Sequence, residues 1–238
     1  MLLSTNHILS LLVNAKDGGI GRAIDCYFND QTWKYDYLVV DTGTLISGRK
    51  VLIAPQDITG VEVIAVTVNL TKDKIKQSPD ISHALPISRQ HEHDLRFYYG
   101  WPVEENLEKK DKTEVSEEES HLRSYNELHG YHIQAEDGEI GHCDDCIVDD
   151  ELWRARYVVV DTANWRPAKK VLISTEWIDN IDWKNKKICI DLTREQIKDS
   201  PEYKPDEPIN RVYEKRLYDY YGRPKYWENV PERHGVNE

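Results

Sequence analysis

The chain repeats itself, and this repeat constrains its fold more than any other feature. When the 238-residue sequence is shifted by 120 residues against itself, the segment 17–53 aligns with the segment 137–173 without a gap. The identical positions include a D-G-x-I-G motif, a V-V-D-T run and a K-V-L-I run. A period of this length is too long for a solenoid and indicates a duplicated domain. We therefore predict two similar units in tandem.

Strand and turn signals inside each unit predict a small β-fold. Residues 7–15 and their counterpart 127–135 are rich in β-forming side chains and precede an Asp-Gly turn, so both are expected to be strands. The V-V-D-T and K-V-L-I runs read as buried strands. Short strands with turn residues between them are typical of a small closed barrel or sandwich. We predict a mainly β fold of two tandem β-barrels.

Each unit is then expected to end in short α-helices. Thr71 and Thr193 are placed to cap a first helix, and Gly100 and Gly222 to end a second one. The segment between the units is acidic and has no aromatic residue, Gly or Pro, which predicts a linker. The predicted organisation is a first unit at 1–102, a linker at 103–120, a second unit at 121–228 and a tail at 229–238.

Composition excludes several classes of function. The formal net charge of −12 argues against a general nucleic-acid binder and against binding to anionic membranes. No segment is apolar over the length needed to span a bilayer. The four cysteines are too sparse for the disulfide framework of a secreted domain. We therefore expect a cytoplasmic protein.

The repeated motifs resemble those of a known family. D-G-x-I-G, followed by an Asp, a Trp, and the V-V-D-T and K-V-L-I strands, resembles the PRC-barrel family, named after the cytoplasmic domain of the photosynthetic reaction centre H subunit. The segments LTREQIKDSP and RLYDYYGRP are similar to the ends of stand-alone members with two tandem PRC units. The resemblance covers almost the whole chain outside the linker. It implies two PRC-type barrels that bind other proteins, with no shared catalytic site.

These observations predict a non-catalytic adaptor or scaffold without a cofactor. Its partners are expected to be other proteins, and association with a second copy of the chain is an alternative. The tryptophans that differ between the two copies are candidate interface anchors, because Trp and Arg are enriched at protein interfaces. The candidate interface residues are Trp165, Arg166, Trp177 and Trp183.

Two other functions stay open. A metal- or thiol-dependent sensor would use His142, Cys143 and Cys146. Residues three apart in a regular strand point to opposite faces, which keeps the two sulfur atoms apart, and the first copy has Ala23 in place of Cys143. A small-molecule-binding module would instead need a pocket between the two barrels.

The acidic residues shared by both copies are expected to be structural. Asp25 and Asp145 interrupt apolar strands, so we expect each to mark a β-bulge or to pair with a basic side chain. A single active site would seldom be retained in two copies, which also favours structural roles.

Overall fold

The structure is a computed structural model that describes residues 1–43, 49–79, 89–102, 121–162 and 168–228. The predicted linker, the predicted tail and two of the candidate interface residues, Trp165 and Arg166, lie outside the described residues.

The described residues are mainly β, as predicted, and their strands form two sheets. The strands are β1 (Leu2–Ser4), β2 (Leu12–Ala15), β3 (Gly18–Asn29), β4 (Tyr35–Asp41), β5 (Lys50–Ile53), β6 (Ile58–Val61), β7 (Ala65–Val68), β8 (Leu122–Ser124), β9 (His132–Ala135), β10 (Gly138–Asp149), β11 (Arg154–Asp161), β12 (Lys170–Ser174), β13 (Ile178–Asp182), β14 (Lys187–Ile190) and β15 (Glu202–Tyr203). The helices are α1 (Thr5–Ser10), α2 (Lys72–Lys76), α3 (Arg89–Tyr99), α4 (Tyr125–Leu128), α5 (Arg194–Asp199) and α6 (Arg211–Tyr221).

The two sheets have matching strand orders. The first runs β5-β4-β3-β2-β7-β6, and the second runs β13-β14-β9-β10-β11-β12-β15. Most neighbours are antiparallel, but β2 pairs with β7, and β9 with β14, in parallel. Within the described residues, the edge strands of each sheet make no ladder with each other, so closure into a barrel is not seen. None of the described helices is long and apolar enough to span a bilayer.

We call residues 1–102 the first half and residues 121–228 the second half. The first strand of each half belongs to the sheet of the other half. Strand β1 pairs with the end of β10, and β8 pairs with the end of β3. The registers match, because Ser4 lies opposite Ile147 and Ser124 lies opposite Tyr27. This exchange is reciprocal, so neither half completes its sheet without the other.

The predicted strands at 7–15 and 127–135 are wrong in their first part. Thr5–Ser10 and Tyr125–Leu128 are helical, and only the later residues of each predicted segment form strands. The side chains of Ser4 and Ser124 cap these helices by accepting hydrogen bonds from backbone N–H groups three residues later. Capping and a single helical turn of buried apolar residues outweigh the β-propensity of these short segments.

A second, backbone contact joins the two halves. Tyr35 donates its N–H to the carbonyl of Trp153 at 2.7 Å, and Ala155 donates to the carbonyl of Trp33 at 2.8 Å. Both tryptophans have positive φ angles, 60° and 48°, which bulky residues rarely adopt. Their side chains are almost fully buried, and this burial offsets the cost of the backbone conformation.

The second glycine of the D-G-x-I-G motif is required by close packing of two backbones. A Cβ on Gly21 would lie 1.9 Å from the carbonyl oxygen of Asp41, and one on Gly141 would lie 2.1 Å from that of Asp161. Any other residue would have to displace the neighbouring strand. The motif therefore permits a tight crossing of β3 over the end of β4, and of β10 over the end of β11.

One large hydrophobic cluster runs through both halves. It includes Ile20 and Val40 from the first sheet, and Ile140 and Val160 from the second. A smaller cluster lies beneath α3 and contains Tyr37, Leu95 and Trp101 among its members. The shared cluster and the exchanged strands make the two halves one packed body.

Candidate binding grooves

Two buried carboxylates, Asp25 and Asp145, hold the exchanged segments in place. These segments are strands β1 and β8 together with the first residues of the helices that follow them. Asp145 accepts hydrogen bonds from the Ser4 hydroxyl, from the backbone N–H of Asn6 at 3.1 Å and from the Tyr125 hydroxyl at 3.0 Å. It also accepts a hydrogen bond from the backbone N–H of Cys146 at 2.7 Å. This carboxylate lies in the second sheet, while Ser4 and Asn6 belong to the start of the chain.

Asp25 makes the matching contacts in the first sheet. It accepts from the Ser124 hydroxyl at 2.6 Å, from the N–H of Asn126 at 3.1 Å and from the N–H of Cys26 at 2.8 Å. Burial raises the pKa of the Asp25 and Asp145 carboxyls above their ordinary value, although these hydrogen bonds act in the opposite direction.

The predicted bulge beside each aspartate is confirmed, since the register shifts between Ala23 and Asp25 and between Cys143 and Asp145. The predicted pairing of these aspartates with basic side chains is wrong, because hydroxyl and backbone donors satisfy the carboxylates instead. Asp25 and Asp145 therefore hold the exchanged segments in place.

The same bulge changes the geometry of the two neighbouring cysteines. The extra residue in β10 places Cys143 and Cys146 on the core side, where they are 0 % and 1 % exposed. The expectation that their side chains point to opposite faces is therefore wrong. The hydrogen bond from the Cys143 thiol, together with burial, raises the pKa of the Cys146 thiol well above its ordinary value. A buried thiol with a raised pKa is a poor nucleophile and a poor metal ligand.

His142 lies on the other face of β10, away from these thiols. It is grouped with Asp144 and Asp161, and their ligand atoms lie within 4.8 Å of one another. One imidazole and two carboxylates suit a divalent transition metal. However, the Lys170 ammonium lies 2.7 Å from Asp144 and supplies positive charge to the cluster. At the matching positions, the first half has Arg22 and no second acid, so this cluster is confined to one half.

Of the candidate interface residues that the structure describes, Trp177 is buried and Trp183 is partly buried. Trp177 is 5 % exposed, and its ring centroid lies 5.1 Å from that of Tyr218. Trp183 donates its indole N–H to Asp30 at 2.9 Å, and the Arg123 guanidinium lies 4.7 Å from its ring. Trp183 therefore joins the second half to the first, and Trp177 forms part of a groove floor.

A glutamate lies beside a tyrosine and an arginine in each half; Glu214 is buried, and Glu92 is partly buried. Tyr37 donates its hydroxyl to Glu92 at 2.9 Å, and Arg96 binds the same oxygen through two nitrogen atoms. In the second half, Tyr157 donates to Glu214 at 2.7 Å, and Arg211 pairs with Glu214 at 3.0 Å. These clusters attach α3 to β4 and α6 to β11, and each lies beside a groove.

The first groove, which we call the mixed groove, is formed by both halves and has a volume of about 360 Å³. Its lining includes both signs of charge. The first half contributes Lys34, Asp36, Tyr37, Arg96 and Trp101, and the second half contributes Asp150, Glu151, Leu152 and Trp153. Trp101 is held in place in this lining, because its ring stacks on Tyr99 with a centroid distance of 4.4 Å and its indole N–H donates to Asp57 at 2.6 Å.

The second groove, which we call the arginine groove, is larger, at about 700 Å³. It lies between β11, α6 and the segment that follows α6. Its basic lining residues are Arg154, Arg156, Arg211 and Arg223. Its apolar lining residues are Trp177, Pro224, Tyr226 and Trp227, and its acidic lining residue is Glu176.

Guanidinium groups and rings stack along one wall of the arginine groove. Arg156 lies 4.3 Å from the centre of the Tyr226 ring, and Arg211 lies 4.3 Å from that of Trp227. Stacking of this kind holds guanidinium groups in fixed orientations. The hydroxyl of Tyr226 also donates to Glu214 at 2.8 Å, so the wall is tied to the buried glutamate.

Sequence reasoning missed this groove, although a signal was present. Asp36 and Arg156 occupy matching positions of the repeat, as do Trp101 and Arg223 after the two-residue insertion in the second copy. An acid therefore lines the groove of one half where the other half has a base. A comparison of charge between the two copies would have pointed to Arg156.

The chain matches no protein-family model, and no curated protein matches it significantly. The two grooves and the junction between the halves are therefore the features from which a function can be inferred.

Proposed function

We propose that the chain is a non-catalytic adaptor of the PRC-barrel type, made of two barrels related by tandem duplication, that binds other proteins through its surface. One observation carries this proposal. The exchange of β1 and β8 fixes two alike halves into one body, while the linings of their equivalent grooves differ in charge and size. A single body with two different grooves can bind two different partner proteins at the same time, which is what an adaptor does.

The matched registers of the sheets support the duplication. Arg22 lies opposite Asp41 in β3 and β4, and His142 lies opposite Asp161 in β10 and β11, with the bulge in the same place. The carboxylates that both copies share, Asp25 and Asp145, are engaged in fastening the exchanged segments. This use favours a structural role over acid–base chemistry for them.

Affinity capture with the full chain as bait tests the proposal. Three baits are compared in a lysate of the source organism: the wild type, a variant of the arginine groove (R154Q/R156Q) and a variant of the mixed groove (K34Q/D36N). We expect a partner protein that is retained by the wild type and reduced by one groove variant but not by the other. Failure of the wild type to retain any protein above an unrelated acidic bait would contradict the adaptor function.

A small-molecule-binding module is the second candidate, because the mixed groove is formed by residues of both halves. Its volume lies in the range of small-ligand sites. A ligand of the native state would raise the melting temperature in a thermal-shift screen against metabolites. The K34Q/D36N variant should lose that shift while the R154Q/R156Q variant retains it.

The sensor alternative has weaker support. Cys143 and Cys146 are buried in the core, and His142 lies on the opposite face of the strand. A shared metal ligand set of these residues would require the strand to be remodelled.

A further inference from the structure

The four guanidinium groups of the arginine groove differ in whether an acidic side chain neutralises them. Arg156 binds Asp149, with a shortest distance of 3.2 Å, and Arg223 binds Asp191 at 2.8 Å. Arg211 pairs with the buried Glu214. These acids compensate most of the charge on three of the arginines. The positive charge available to a ligand therefore comes mainly from the fourth.

Arg154 is that fourth residue. Its Nε atom is buried and has no hydrogen-bond partner, and the described residues offer its side chain no ion pair. A buried guanidinium donor without an acceptor is costly, because its lost contacts with water are not replaced. The buried Nε atom is out of reach of a ligand, but Arg154 lines the groove, so an oxyanion bound against the rest of its guanidinium group would balance the unpaired charge.

The chemistry of the lining narrows the class of ligand. Guanidinium groups present planar pairs of donors that match a carboxylate, and Trp227 and Pro224 offer apolar surface beside them. A ligand that uses both must carry carboxylates next to apolar groups. An acidic peptide with interspersed aliphatic side chains has this pattern.

The overall charge of the chain opposes a long polyanion. The net charge of −12 repels an extended nucleic acid along its whole length. At physiological ionic strength this repulsion is screened beyond roughly 8 Å, whereas a short segment inside the groove contacts the guanidinium groups directly. The charge pattern thus favours a short acidic segment over a nucleic acid.

We infer that the arginine groove binds an acidic peptide segment of a partner protein, with Arg154 contacting a carboxylate and Trp227 packing against an aliphatic side chain. This inference rests on the proposed adaptor function and names the chemistry of one partner. Glu176, an exposed residue of the groove lining, weakens the binding by repulsion. The mixed groove has Asp36 where the arginine groove has Arg156, and it does not bind such a segment.

Fluorescence anisotropy with a labelled peptide, EELEEL, tests the inference on the full chain. Its neutral counterpart, QQLQQL, is the control probe. We expect EELEEL to bind at least about tenfold more tightly than QQLQQL, and R154Q to weaken EELEEL binding by about tenfold, which corresponds to the loss of one charge-assisted contact. The K34Q variant is the matched control and should bind like the wild type.

A variant that binds the peptide more tightly than the wild type must still be folded, so we include one that is expected to gain affinity. E176Q removes a repulsive charge at an exposed position, so we expect EELEEL to bind about two- to fivefold more tightly. Equal binding of EELEEL and QQLQQL would overturn the inference. Equally tight competition by inorganic pyrophosphate would also overturn it, because the groove would then be a site for small anions.

The two proposals fail in different ways. If EELEEL does not bind, but a protein is retained by wild-type and R154Q baits alike, the inference is wrong and the adaptor function stands. If EELEEL binds as expected, but no protein is retained by the wild-type bait, the groove has the inferred chemistry and the adaptor function is contradicted.

Discussion

Ser124 donates a hydrogen bond of 2.6 Å from its hydroxyl to the buried carboxylate of Asp25, which lies 99 residues earlier in the chain. Ser4 makes the matching bond to Asp145, 141 residues later. The same two serines cap the helices that follow them. Each serine therefore links the start of one half to the sheet of the other.

Replacement of Ser124 by Ala removes both roles at once. The loss of a helix cap and of a hydrogen bond to a buried carboxylate should lower the free energy of unfolding by about 2–4 kcal/mol. Urea denaturation followed by circular dichroism measures this change. Ser10, which is exposed, provides the control, and S10A is expected to cost less than about 0.5 kcal/mol. Equal effects of S124A and S10A would show that the serine does not fasten the two halves.

The raised pKa of Asp25 and Asp145 predicts a distinct dependence of stability on pH. A carboxyl whose pKa is raised on folding retains its proton in the folded state at a pH where the unfolded state has lost it. Its contribution to stability is full below the unfolded value, 3.8, and is lost as the pH rises through the folded value. The D25N/D145N variant should lack this contribution.

Unfolding free energies measured from pH 4, just above the unfolded value of 3.8, to pH 7 check this prediction. We expect the difference in stability between the wild type and D25N/D145N to shift against the wild type as the pH rises. A difference that does not change with pH would mean that the two carboxyls titrate normally.

Trp183 should matter for folding more than for partner binding. Its indole N–H bonds to Asp30, and its ring lies against Arg123, so W183A opens a cavity at the junction of the halves. Because Trp183 is only partly buried, we expect a loss of about 2–3 kcal/mol in the free energy of unfolding, at the low end of the range for large-to-small core substitutions. L152A is the control, because Leu152 is 56 % exposed. A W183A chain as stable as L152A that also fails to retain its partner would instead support Trp183 as an interface anchor.

The cysteines provide a prediction about reactivity. Cys26, Cys143 and Cys146 are buried, whereas Cys189 is partly exposed. Titration of the native protein with a thiol reagent should modify Cys189 first and the other three only when the protein unfolds. Burial raises the pKa of Cys189 as well, so its reaction should be slow near neutral pH. Modification of Cys143 or Cys146 in the native state at the rate of Cys189 would revive the sensor alternative.

The sequence predicted the parts of the fold that depend on local patterns. The strands around Val39 and Val159 and the caps at Thr71 and Thr193 follow from apolar runs and from side-chain chemistry. The exchange of β1 and β8 could not be predicted. A strand pairs equally well within its own copy or with the other copy when both copies present the same pattern.

The other differences between the predictions and the structure also arise from features that local sequence patterns do not determine. The side of the strand on which Cys143 lies depends on a bulge, and one extra residue reverses the alternation of every side chain after it. The arginine groove forms only when Tyr226 and Trp227 fold back on Arg156 and Arg211, which is a tertiary contact. Trp177 and Trp183 were predicted as interface anchors from composition, which does not reveal that Trp177 is buried and Trp183 partly buried; their role as anchors stays a prediction.

Hydrogen–deuterium exchange of the full chain, with and without a captured partner, tests the adaptor function most directly. We expect the partner to protect amides of residues 154–156 and 211–227, around the arginine groove, and to leave residues 34–37 of the mixed groove unchanged. The exchanged strands should be protected equally in both samples, because they belong to the rigid body. Protection confined to surfaces outside both grooves would contradict the account.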